Sequence, residues 1–97
     1  MSQALPDLET DTLESTETQI PPPYKVILHN DDFNDMVRVV EVICRLTPLS
    51  SDEAIQRMFE AHYTGYALLL VTHRERAELY VEQFASCRLT VTAEPDV

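Results

Sequence analysis

An α+β domain with the element order β-α-α-β-α-β is the fold class that this chain predicts. Three observations carry it. Three stretches repeat apolar residues with a helical period, around Met36–Ile43, Ile55–His62 and Ala77–Phe84. Three shorter stretches read as strands and interleave with them, at 24–29, 66–71 and 88–93. Stop and cap residues, Pro48 and Gly65 among them, fall between these patterns. Together they predict a small three-stranded antiparallel sheet covered by three helices.

The first strand comes from alternation: Tyr24, Val26 and Leu28 against Lys25, Ile27 and His29. Asn34 or Asp35 then caps a helix over 36–46, with Met36, Val39, Val40 and Ile43 on one face. Pro48 stops it. Ser50 and Glu53 have capping-box spacing and open the second helix. Its stripe is Ile55, Met58, Phe59 and His62, and Gly65, the only glycine, ends it as a left-handed cap. The unbroken apolar run Tyr66 to Val71 reads as a buried strand. Thr72 with Glu75 offers a second capping box, opening a helix marked by Ala77, Tyr80, Val81 and Phe84. Leu89, Val91 and Ala93, alternating with Arg88, Thr90 and Thr92, give the last strand.

Composition divides the 97 residues in two. Residues 1–23 hold Asp7, Glu9, Asp11, Glu14 and Glu17, no Lys or Arg, few apolar side chains and the run Pro21-Pro22-Pro23. Such a segment cannot offset the entropy of ordering, so a disordered acidic tail ending in a stiff proline spacer is expected. Residues 24–97 form the folding unit. The net charge of −10 disfavours nucleic acid and anionic membrane surfaces and suits a cationic ligand. No apolar run reaches the roughly 20 residues of a membrane span, and the acidic N-terminal segment resembles neither a signal nor a transit peptide. A bacterial cytoplasm is therefore expected ahead of a plastid stroma. Cys44 and Cys87 have no metal or redox spacing and are expected as reduced thiols. His29, His62 and His73 lack metal-site spacing, so neither a metal nor another cofactor is expected. No nucleophile–base pair points to an enzyme.

One constellation carries recognition chemistry. Asn30, Asp31 and Asp32 end the first strand, and His62 shares a helix face with Met58 one turn earlier. If the first two helices pack side by side, Met36, Val39, Met58 and Ala61, with Leu89, wall an apolar pocket with polar groups at its rim. That arrangement suits an apolar side chain attached to a cationic donor. The same residues also fit plainer roles. Asn-Asp-Asp before a helix serves as turn and cap, a histidine late in a helix complements its dipole, and methionines fill core gaps.

From Pro22 to about Glu94 the chain resembles the ClpS family. The resemblance rests on Tyr24-Lys25-Val26-Ile27-Leu28-His29-Asn30-Asp31-Asp32-Phe33, then Met36, Val39-Val40-Glu41-Val42, and Met58, His62 and Gly65. These adaptors deliver substrates with destabilising N-terminal residues to a Clp-type AAA+ unfoldase, ClpA- or ClpC-like, and its protease. The resemblance implies that Asn30, Asp31 and His62 hold the substrate's free α-amino group, with Asp32 and Asn34 supporting the site. It implies that Leu28, Met36, Val39, Met58, Ala61 and Leu89 enclose a first side chain of Leu, Phe, Tyr or Trp. Glu75 would contact the unfoldase N-terminal domain, and the adaptor would work as a monomer. The chain departs from the family at Asn34-Asp35, where Thr-Pro is common, at Ala61, where Val is common, and at His73. The departures at Asn34-Asp35 and Ala61 motivate an alternative, a module that binds the unfoldase and alters substrate choice without reading N-termini.

Overall fold

The computed structural model describes residues 20–97, so residues 1–19 of the expected tail lie outside the described residues. Pro21–Pro23 carry no regular secondary structure. The elements follow the expected order: β1 (Tyr24–His29), α1 (Met36–Leu46), α2 (Ser51–Thr64), β2 (Tyr66–Thr72), α3 (Arg74–Ser86) and β3 (Val91–Pro95). The sheet is antiparallel throughout, with β1 between β2 and β3.

The core forms where β1 meets the helices. Val26, Leu28, Ile43 and Phe84 are the largest fully buried side chains. α2 packs on β2, α3 packs on β1 and β3, and α1 lies against both α2 and α3. The helix ends follow local chemistry. Asp35, not Asn34, caps α1 by accepting the Arg38 backbone N–H at 2.8 Å. Thr47 closes its other end, its backbone N–H and hydroxyl both donating to the Ile43 carbonyl. Ser50 and Glu53 form the reciprocal capping box on α2. Gly65, at φ 101°, ends that helix in the left-handed region, where a Cβ would be strained.

Three expectations need correction. β2 is an edge strand rather than a buried one: Ala67 and Leu69 are buried, while Tyr66, Leu68 and Val71 are exposed on its outer face. An apolar run carries no record of which face is covered, and here a register shift opposite Val26 and Ile27 lies between Leu68 and Leu70. The α3 cap is His73, whose Nδ1 accepts the Arg76 N–H at 3.1 Å, and not Thr72. Thr72 stays in β2, paired with Tyr24, which moves Glu75 out of the position a capping box needs. The last strand starts at Val91, not at Arg88. Arg88 takes φ 66°, and the Leu89 N–H donates to the Phe84 carbonyl at the end of α3. That N–H is spent on the helix terminus and cannot join a ladder.

Candidate functional site

The site grows from the end of β1. The Asn30 backbone N–H donates to the Gly65 carbonyl at 3.0 Å, which stitches the strand end to the residue just past α2. Because Gly65 turns the chain at that point, His62 in the last turn of α2 is brought to the same side as Asn30. Asp31 Oδ1 then accepts the Phe33 and Asn34 backbone N–H groups, each at 2.9 Å. This side-chain turn reverses the chain and launches α1.

Ten of the residues singled out in the sequence line one cavity. The polar members are Asn30, Asp31, Asn34 and His62. The apolar ones are Leu28, Met36, Val39, Met58, Ala61 and Leu89. Leu28, Met58, Ala61 and Leu89 are buried, Asn30 and His62 are exposed, and Met36 is 38% exposed. The cavity thus has an apolar interior and a polar mouth. No Lys or Arg lines it. Among the described residues, neither the Asn30 amide nor the His62 imidazole has a side-chain hydrogen bond, so both present open acceptors. An ammonium group with an apolar side chain attached matches such a site: the donors meet the mouth and the side chain leaves water.

Two predicted residues lie elsewhere. Asp32 is exposed, does not line the cavity and makes none of the turn's hydrogen bonds. The support expected of it comes from Asp31 itself and from Asn34, whose Nδ2 donates toward the Asp31 carboxylate at 3.3 and 3.4 Å. Adjacent residues point apart, and the turn uses the first carboxylate. Glu75 sits in the first turn of α3 and lines a separate surface depression with Pro21, His73, Arg74 and Glu78.

Sequence reasoning missed His29, which also lines the cavity but engages Thr92 Oγ1 through Nε2 at 2.8 Å. It also missed Arg38, whose guanidinium reaches Asn34; its one visible signal is the i,i+4 spacing from Asn34. Among the described residues no group of three or more His, Cys, Asp or Glu side chains is placed to hold a metal, and no helix is long and apolar enough to cross a membrane.

A family model described as "ATP-dependent Clp protease adaptor protein ClpS" matches residues 19–91. An ATP-dependent Clp protease adapter protein ClpS from Synechococcus elongatus is 40% identical over 94 residues, covering 92% of this chain and 99% of that relative. The chloroplastic adapter CLPS1 of Arabidopsis thaliana is 40% identical over 79 residues, 80% of this chain and 50% of the relative. Among solved structures, Agrobacterium tumefaciens ClpS2 bound to L-phenylalaninamide is similar at a TM-score of 0.75 and 30% identity, covering 79% of this chain and all of that one.

Proposed function

The chain belongs to the ClpS family of adaptors for ATP-dependent Clp proteases, and from that premise we propose that it reads N-degrons without chemistry of its own. It binds the free α-amino group and bulky apolar first side chain of a substrate and hands that substrate to a Clp-type AAA+ unfoldase. The observation that carries the reading is the convergence of Asn30, Asp31 and His62 on the mouth of one apolar cavity. L-Phenylalaninamide, the ligand of the similar Agrobacterium protein, has the matching chemistry: a free ammonium group, an apolar ring and an amide.

The proposed division of labour follows from donor and acceptor chemistry. The ammonium has three N–H donors, and the mouth offers the Asn30 amide oxygen, the Asp31 carboxylate and a neutral His62 nitrogen. An internal peptide bond brings one N–H and no charge, so it leaves acceptors unpaired and is rejected. Leu28, Met36, Val39, Met58, Ala61 and Leu89 take a Leu, Phe, Tyr or Trp side chain. Burying one contributes roughly 1.5–3 kcal/mol. A charged side chain would lose its solvation there without a partner.

Delivery uses a second surface. Glu75 is exposed in the first turn of α3, and Pro21, where the N-terminal segment meets the fold, borders the same depression. We place the unfoldase N-terminal domain there. The test of the whole reading is degradation of a Phe-initiated reporter by a Clp unfoldase and protease. The adaptor should accelerate it, and L-phenylalaninamide should compete while its N-acetylated form does not. Equal competition by both amides counts against α-amino recognition. A Glu75→Lys adaptor that still delivers at the wild-type rate counts against the docking surface.

A further inference from the structure

We propose that Arg38 is a positioning residue for the α-amino site and acts through Asn34, an inference that rests on the reading of that site given above. The Asn34 amide has two ends of opposite polarity, and its neighbours each accept only one. Arg38 Nη1, which only donates, lies 2.9 Å from Asn34 Oδ1. The Arg88 carbonyl, which only accepts, lies 2.8 Å from Asn34 Nδ2. A flipped amide would face donor with donor on one side and acceptor with acceptor on the other. The pair therefore fixes the amide so that its NH2 faces the Asp31 carboxylate.

The consequence falls on Asp31. Its Oδ1 already receives two backbone N–H groups at 2.9 Å, and Asn34 Nδ2 at 3.4 Å. Among the described residues, Oδ2 has only the 3.3 Å contact with the same Nδ2. The network thus turns one carboxylate oxygen inward to the turn and leaves the other with room for an incoming ammonium. The same Arg38 Nη1 also donates to the Cys87 carbonyl at 2.9 Å. Cys87 and Arg88 form the turn that sets Leu89 into the apolar wall. One guanidinium nitrogen therefore ties the polar mouth to the wall behind it. Arg38 sits in the first turn of α1 and Asn34 just before its cap, so the guanidinium reaches back over the helix start, and the Arg38 backbone N–H is held by the Asp35 cap.

Without the guanidinium, Asn34 is free to rotate and the turn before Leu89 is untethered. Each binding event must then order what the wild type holds in place. Fluorescence anisotropy with a labelled Phe-initiated peptide tests this on the full chain, at a temperature where circular dichroism shows every variant folded. Arg38→Met should bind about 5- to 20-fold more weakly, and Arg38→Lys, which keeps a charged donor group but not the planar fork, should recover part of the loss. The Arg38→Met, Asn34→Ala double variant should bind no more weakly than the worse single variant. A residue that only stabilises the fold would lower the melting midpoint and leave affinity unchanged. Wild-type affinity in Arg38→Met, or losses that add in the double variant, overturns the inference. Failure of the underlying reading looks different: the wild type itself would bind free and N-acetylated peptides alike.

Discussion

Two helices of this domain begin at acidic, polar turns, and only one of those turns has chemistry left over. At the start of α2, Ser50 and Glu53 satisfy each other: the Glu53 N–H donates to the Ser50 hydroxyl at 3.1 Å and the Ser50 N–H to the Glu53 carboxylate at 2.9 Å. The turn before α1 has more polar groups than the helix end needs. Asp35 serves as the cap and Asp31 builds the turn, yet Asn30, one Asp31 oxygen and His62 across the cavity keep acceptor capacity. A polar turn that closes on itself is structure. A polar turn with surplus acceptors over an apolar cavity has the makings of the site proposed above.

The sharpest way to break that contrast is to truncate both turns. Asp31→Ala should weaken binding of a Phe-initiated peptide by more than about 30-fold, because it removes the carboxylate proposed to accept from the substrate's ammonium. Ser50→Ala should leave the same affinity unchanged. Equal effects on peptide binding would remove the distinction. His62→Ala comes next, with a loss of about tenfold expected from one hydrogen bond to a charged group. Titration calorimetry would measure it, and wild-type affinity in this variant would reassign His62 to the helix end.

Ala61→Val has a smaller and different effect. Ala61 is buried and lines the cavity, so two added methyl groups intrude on the pocket. Phe should lose about 3- to 10-fold relative to Leu, read from a panel of peptides differing only in the first residue. An unchanged ranking would mean that Ala61 does not shape the side-chain pocket.

The smallest effects belong to the closed turn. Ser50→Ala should cost about 1 kcal/mol of unfolding free energy. Hydrogen bonds from the Ser50 backbone and hydroxyl hold the Glu53 carboxyl below the ordinary glutamate range. A lowered folded-state pKa means that this stabilisation is present above the unfolded value and fades as pH falls through the folded one. The stability gap between wild type and Glu53→Gln, measured by denaturant unfolding, should therefore shrink on acidification.

The same contrast shows what the sequence can disclose. Caps and stops are local, so Ser50, Glu53, Gly65 and the three helices are legible one turn at a time. The cavity is legible too, because Met58, Ala61 and His62 share a helical face and Asn30 and Asp31 follow an alternating strand. What local patterns miss depends on distant partners. Nothing near Tyr66 or Leu68 tells that one face of β2 is uncovered. Arg88 does a task that glycine usually performs, at φ 66°, which hides the true start of β3. Asp31 and Asp32 are indistinguishable by type, and only the turn decides which carboxylate lines the cavity. Arg38 reaches across 49 residues of sequence to the Cys87 carbonyl, a contact with no periodic signature.

The most direct test of the account is fluorescence anisotropy of one Phe-initiated peptide in two forms, free and N-acetylated. Acetylation removes the charge and two donors and leaves the side chain intact. The free peptide should bind at least about 30-fold more tightly, and equal binding of the two forms would contradict a site built on surplus acceptors for an α-ammonium group.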